Sequence, residues 1–377
     1  MSAKVWPARS LNDIPGINPS KGPASGSAIR QTAEAAARDF RRVGVYNREP
    51  SDFMPLFLLL LVLACQPAAF SEIVCPSDPG QARTQNPAQA GQPIRVSTNL
   101  VQVPVSVTDA EGNPVKDLTL EDFVIEENGN PVTIEHMGEP GESRLELILV
   151  FDVTGSVFSR FEFEQQAATA FLKRIFRSGD AAAVLCIGLE PKVVLERTTS
   201  IDKALEGLGE LQPSGDSTAF YDSVIAAARM LRTSADPETR RAQIVLSDGE
   251  DNRSDNLLTD AIREVQQADC IFYSINPGGV SIRLNKVSQR GQQGMESLAQ
   301  QTGGAAFLAE KLEDLERIFN RIAAELQAQY LLSYYSPDSR TDGGFRPIKV
   351  RVPNKPELRV RARQGYYAAR SSIRRTR

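Results

Sequence analysis

The sequence predicts an α/β domain, a mostly parallel central sheet flanked by helices. It lies between two β-rich flanks that together make a small accessory β module. Three observations predict this. Leu147–Phe151 is an unbroken apolar run of strand type that ends at Asp152, as in strands buried on both faces of a parallel sheet. Strand-period and helix-period patterns alternate across residues 145–329, the mark of βα units. Both flanks, 94–139 and 330–367, lose the helical period and read as short strands joined by turn residues.

The 377 residues carry 43 Lys+Arg against 47 Asp+Glu, one histidine and four cysteines. This mildly acidic balance, without a basic stripe, gives no sign of a nucleic-acid partner. No CxxC pair occurs, which argues against a zinc or thioredoxin-like site. Cys186 and Cys270 lie inside apolar runs and read as packed core thiols.

Residues 1–71 read as an N-terminal extension ending in a signal-type segment. Its apolar core, Leu56–Ala64 within Met54–Cys65, is shorter than the roughly 20 residues a spanning helix needs. It fits an export signal, with Arg41, Arg42 and Arg48 before it and Ala69-Phe70-Ser71 as a cleavage site. Val62–Cys65 also looks like a lipoprotein box, so a membrane tether through this segment or through a lipidated Cys65 is an expectation. With the signal this deep, a translation start near Val43, Val45 or Met54 is expected. The implied location is exported: periplasmic, cell-envelope or extracellular. Residues 72–93, rich in Pro, Gln and Ala, read as a disordered linker.

In the first flank Val101, Val103, Val105 and Val107 alternate as in a half-buried strand. The turn Asp109–Pro114, the strand Phe123–Glu127, the turn Glu127–Pro131 and the returning strand Val132–Met137 follow. Asp109 and Glu111 read as turn acids, and His136 as a strand residue. After the strand at 145–152, Ser156 or Ser159 caps a helix to about Arg177, with Phe163, Ala167, Ala170, Phe171 and Ile175 on one face. Strands Ala181–Leu189 and Lys192–Glu196 flank Pro191, and a helix covers Ile201–Leu211. The polar loop 213–218 opens a helix that packs Phe220, Val224, Ala227, Ala228 and Leu231. Strand Ala242–Ser247 ends at Asp248. Helix Thr259–Ala268, strand Cys270–Asn276, loop Pro277–Arg290, helix Met295–Thr302 and strand Ala305–Ala309 follow. The last helix packs Leu312, Leu315, Phe319, Ile322 and Leu326. Tyr330–Tyr335, Phe345–Val352 and Leu358–Ala362 are strands expected to pair with the first flank. Arg359, Arg361 and Arg363 read as the exposed face of one of them, and 368–377 as a frayed tail.

Asp152, Thr154 and Ser156 stand at one strand end, Thr218 in a polar loop before a helix, and Asp248 at another strand end. In open α/β sheets such segments meet outside the carboxyl ends of the strands. Two carboxylates and three hydroxyls are hard oxygen donors suited to Mg²⁺, with Mn²⁺ or Ca²⁺ as alternatives. Three of the five are neutral, so a bound cation keeps positive character. An open coordination position would then attract a partner's Asp or Glu. Glu250, Asp251 and Asp255 read as a solvated loop, and Asp216 and Asp222 as capping or solvated acids.

At these residues the chain resembles the von Willebrand factor type A (VWA) domain. The metal-ion-dependent adhesion site (MIDAS) of that family has Asp-x-Ser-x-Ser, then a loop Thr, then an Asp after a later strand. Here they read Asp152-Val-Thr154-Gly-Ser156, Thr218 within Gly215–Asp222, and Asp248 within Val245–Asp251. The resemblance covers about residues 145–330 and departs at Thr154, whose methyl narrows the site. The flanks, including Tyr330–Tyr335 and Arg361–Tyr366, look like those of exported bacterial proteins of this group from acidobacteria and relatives. The resemblance implies a Rossmann-like α/β fold, metal-dependent binding of a protein partner, and no catalysis. A structural envelope protein with a degenerate metal site is the alternative. A haloacid-dehalogenase-like phosphotransferase is a further one, but it needs a second Asp where Thr154 stands. A serine hydrolase is disfavoured, because His136 lies in another module and Gly-x-Ser-x-Gly is absent.

Overall fold

β5 (Leu145–Asp152) is buried along its whole length and runs through the middle of the α/β domain. Its alternate side chains supply both cores, as the period of a strand requires. Leu145, Leu147, Leu149 and Phe151 face one helical layer, while Ile148 and Val150 face the other. The computed structural model describes residues 99–154, 160–215, 217–233, 239–279 and 286–370, all within one compact unit, Ala88–Arg377. The signal-type segment, the linker, Cys65, Cys75, Ser156, Asp216 and the tail beyond Arg370 lie outside the described residues.

Beside β5 lie β6 (Ala181–Ile187), β7 (Lys192–Thr198), β8 (Arg240–Leu246), β9 (Cys270–Asn276) and β10 (Ala305–Leu308), in the order β10-β9-β8-β5-β6-β7. Every pairing is parallel except the β6–β7 edge. The chain leaves β5 for β6 on one side and returns as β8 on the other. The switch point therefore falls between β5 and β8, where such sheets open a crevice.

Helices α1 (Phe161–Ile175), α2 (Ile201–Gly209) and α6 (Asp314–Ala328) cover one face, and α3 (Phe220–Arg232), α4 (Leu258–Gln267) and α5 (Lys286–Thr302) the other. Two expectations are corrected. The buried stripe of α1 is Phe161, Glu164, Ala168, Phe171, Leu172 and Ile175, and Phe163 is exposed. An acid thus occupies a core position, which apolar counting passes over. Helix α5 begins at Lys286 within the expected loop, because its first turns are polar and pack through Gly291, Gly294 and Met295.

The flanks form two four-stranded sheets. β1 (Leu100–Thr108), β4 (His136–Gly138), β11 (Tyr330–Tyr335) and β13 (Arg359–Ala362) make one, in the order β13-β1-β11-β4. β2 (Val124–Glu127), β3 (Asn130–Val132), β12 (Phe345–Arg351) and β14 (Gly365–Tyr367) make the other, in the order β14-β12-β2-β3. Their shared core holds Val101, Val103, Val105, Val107, Ile125 and Tyr334 among others. The strand expected over Val132–Met137 is split, with β3 and β4 in different sheets. The arginine stripe is also corrected: Arg359 is exposed, but Arg361 pairs with Glu325 of α6, and Arg363 is buried and pairs with Asp269. These arginines join the two modules. The tail is fastened at its start, where Ala368 N–H donates to the Gly344 carbonyl and the Arg370 backbone pairs with that of Asp342 in an isolated antiparallel β-bridge. Cys186 and Cys270 are buried free thiols.

Candidate metal centre

β5 delivers Asp152 to the switch point and buries it completely (0% exposed). A carboxylate taken out of water needs donors, and three are supplied. Thr154 donates to Oδ1 twice, from its backbone N–H at 3.0 Å and its hydroxyl at 2.6 Å, and Ser247 Oγ donates to Oδ2 at 2.7 Å. Burial still pushes the Asp152 carboxyl above its ordinary range, against those donors, with Glu250 adding to the rise.

Thr218 arrives from the loop before α3, and its hydroxyl donates to Thr154 Oγ1 at 3.1 Å. Two hydroxyls and one carboxylate from two distant segments are therefore linked in a row. Asn252 fixes Thr218 from both sides: its Oδ1 accepts from the Thr218 N–H at 3.0 Å, and its own N–H donates to the Thr218 carbonyl at 3.1 Å. The same loop is tied to β5 by Ser214 N–H donating to the Val153 carbonyl.

Asp248 follows β8 and is partly exposed. Its Oδ1 accepts from the Glu250 N–H at 3.0 Å, and its carbonyl accepts from Asn276 Nδ2 at 3.3 Å. The next residue, Gly249, has φ +75° and lies against the backbone of Gly291, where a Cβ would collide with its carbonyl. Only glycine fits there, so the turn that aims Asp248 is pinned on α5.

The structure thus joins Asp152, Thr154 and Thr218 directly, and places Asp248 just after β8, the strand next to β5. Ser156 lies outside the described residues. Sequence reasoning missed Ser247 and Asn252, which hold Asp152 and Thr218 in place, and Glu164. Glu164 is 0% exposed, and among the described residues neither carboxyl oxygen has a hydrogen-bond partner. Burial raises its carboxyl to about 7, partly relieved by Arg160 and pushed further by Asp152 and Asp248. The rim acids have plainer work. Asp251 accepts from the Tyr221 N–H and the Ser254 hydroxyl, Asp222 from the Asp255 and Asn256 N–H groups, and Glu250 from the Ser288 hydroxyl.

Among the described residues, no three His, Cys, Asp or Glu side chains gather as a metal centre. The cluster has another composition, a buried carboxylate with hydroxyls, and that set fits a hard cation. Each hydroxyl can donate to an acid and still turn a lone pair to a metal.

The solved structures that this chain resembles include a von Willebrand factor type A protein. Among solved structures the chain is similar to the conserved hypothetical protein BatB from Bacteroides thetaiotaomicron, at 16% identity over 48% of this chain and 97% of that one, TM-score 0.39. It is similar to a von Willebrand factor type A protein from Catenulispora acidiphila, at 16% identity over 62% and 51%, TM-score 0.42. It is also similar to proximal thread matrix protein 1 of the mussel byssus, whose structure has a zinc-occupied MIDAS motif, at 15% identity over 54% and 50%, TM-score 0.44. The chain spans about half the length of the latter two. No family model and no curated protein matches it.

Proposed function

We propose that this chain is an exported binding protein that captures a protein partner's Asp or Glu through a divalent cation held by Asp152, Thr154, Ser156, Thr218 and Asp248. The observation that carries this reading is the row of contacts from Asp152 through Thr154 to Thr218 at the switch point. Mg²⁺ is the first candidate, with Mn²⁺ or Ca²⁺ as alternatives. When bound, the cation would supply Lewis-acid character at an open coordination position. Asp152 contributes buried negative charge, and the neutral threonines contribute oxygens without cancelling more of the cation's charge. Ser247 and Asn252 keep these groups in register.

The surroundings favour a docking face. Phe163, Leu189, Val193, Leu257 and Val287 are exposed apolar side chains, and all lie in segments adjoining the carboxyl ends of the strands. Exposed apolar side chains beside a polar centre can supply the apolar part of an interface. Binding rather than catalysis is favoured because the chain's one histidine, His136, belongs to β4 in the other module. Export rests on the segment Met54–Cys65, with a membrane tether there or at Cys65 as part of the reading.

The test is calorimetric titration of Mg²⁺ or Mn²⁺ into wild type, Asp152→Ala and Thr218→Ala. Saturable binding in wild type, lost in Asp152→Ala and weakened in Thr218→Ala, is expected. Absence of a metal response in all three sinks the proposal. Capture of a partner from envelope extract should also vanish with EDTA; capture unchanged by EDTA would point to a structural role with a degenerate metal site.

A further inference from the structure

We propose that Glu164 is a further acid of this cation site, standing behind Asp152 and facing the waters of a bound hard divalent cation rather than ligating it directly. The inference rests on the metal reading above and adds a residue that the Asp-x-Thr-x-Ser, Thr and Asp pattern does not contain.

Glu164 lies on the core face of α1, in line with Phe161, Ala168, Phe171 and Ile175. That stripe packs on β5. The Phe161 ring meets Phe151, the residue before Asp152, edge to face at 6.5 Å between centroids. Glu164 is one turn along the same face. A core position on such a helix ordinarily takes an apolar side chain, and a buried acid is ordinarily paired or hydrogen-bonded. Glu164 has neither carboxyl oxygen satisfied and no exposed surface. Other buried acids of this chain are provided for: Glu325 has Arg321 and Arg361, and Asp152 has Thr154 and Ser247.

Three charged groups act on Glu164 through space. Arg160, one turn earlier, lowers its proton affinity, and Asp152 and Asp248 raise it. The Arg160 guanidinium is itself drawn to the Pro277 carbonyl at 2.6 Å. The two acids assigned to the cation therefore both act on Glu164. Glu164, Asp152 and Asp248 do not close into a three-acid centre, so its place is one layer behind. Without a cation, a proton makes the burial tolerable. A divalent cation held at Asp152 and Thr154 would supply a counter-charge, and Glu164 could then release its proton to solvent. Carboxylates placed behind metal ligands in this way tune affinity by about ten- to hundredfold.

The experiment is calorimetric titration of Mn²⁺ into the full chain and its Glu164→Gln, Glu164→Leu and Glu162→Gln forms, with thermal unfolding before and after Mn²⁺. Glu162 is the exposed neighbour on the same helix. Glu164→Gln and Glu164→Leu should each weaken Mn²⁺ by about tenfold or more, and Glu162→Gln should match wild type. Metal-free Glu164→Leu should melt higher than wild type, because an unsatisfied acid has been replaced by a side chain suited to the stripe. Affinity falling while metal-free stability rises separates this role from a packing role. Equal Mn²⁺ affinity in wild type and Glu164→Leu overturns the inference and leaves the metal reading standing. A lower metal-free melting temperature in Glu164→Leu also overturns it, since Glu164 would then be a structural residue. No Mn²⁺ uptake by wild type overturns both.

Discussion

Glu127 in the β module and Glu164 at the mouth of the α/β domain are both nearly inaccessible to water, and their surroundings are opposite. Glu127 is saturated with donors. Tyr334 donates to its Oε2 at 2.7 Å, Tyr366 to the same oxygen at 3.3 Å, and Ser336 to its Oε1 at 2.8 Å. Those donors come from β11, β14 and the turn after β11, so one carboxylate ties both sheets of the module together. Burial and the Glu127 charge push the Tyr334 phenol up, keeping it a donor. Among the described residues Glu164 has no hydrogen-bond donor. The sequence treats the two alike, as an acid in an apolar neighbourhood. What separates a structural acid from one held for a ligand is whether the fold itself completes its hydrogen bonds.

The same substitution at both positions sharpens this contrast. Glu127→Leu removes the acceptor for three hydroxyls, two of them on buried tyrosines. Each stranded buried donor costs about 1–3 kcal/mol, so a loss of about 3 kcal/mol or more is expected in urea unfolding. A loss under about 1 kcal/mol would mean that water replaces Glu127 and that the network is not what joins the sheets.

Glu164→Leu should move stability the other way, and with a pH signature. The Glu164 carboxyl is raised from 4.5 to about 7 in the folded chain. A raised carboxyl binds its proton more tightly folded than unfolded. Its favourable contribution is therefore complete below pH 4.5 and is lost as pH rises through 7. A shift of this size corresponds to about 3 kcal/mol. Without metal, the advantage of Glu164→Leu over wild type should grow by about that amount between pH 4.5 and pH 8. Denaturation curves for the two proteins at matched pH check this; a difference that stays flat with pH would place a donor beside Glu164.

The unequal legibility of these regions has a physical cause. β5 and β9 were readable because strands buried on both faces are largely apolar, and β9 runs from Cys270 to Asn276 as expected. β8 was readable from its apolar end, residues 244–246, although Arg240, Arg241 and Gln243 are buried in it too. Helix α3 was readable because Phe220, Val224, Ala227, Ala228 and Leu231 keep helical spacing and are all buried. Asp152, Thr154 and Asp248 were picked out as candidates by their chemistry at strand ends, and Thr218 by its place in the polar loop before α3. Ser247 and Asn252 were not, since a serine and an asparagine in a polar loop look the same whether or not they hold a ligand residue. Glu164 stayed hidden for a related reason. Phe163 offered a plausible apolar alternative one residue away, and only the packing of Phe161 on Phe151 fixes which face of α1 turns inward. The arginines of β13 alternate as an exposed face would, but their partners, Glu325 and Asp269, lie far away in the chain.

The smallest effect is expected at Thr154, the one position in the motif that departs from the resembled pattern. Its hydroxyl donates to Asp152 and accepts from Thr218, and a serine hydroxyl can make both contacts. Thr154→Ser therefore removes one buried methyl and nothing polar, a cost of about 0.8 kcal/mol. The added room at the mouth should tighten Mn²⁺ by less than the roughly tenfold weakening expected from loss of Glu164. Calorimetry on Thr154→Ser alone and combined with Glu164→Gln can rank the two. A large gain from Thr154→Ser would mean that the methyl, and not the acid behind Asp152, sets the affinity of this site. A small gain that adds to the Glu164→Gln loss would mean that steric fit at Thr154 and charge at Glu164 act on the cation independently.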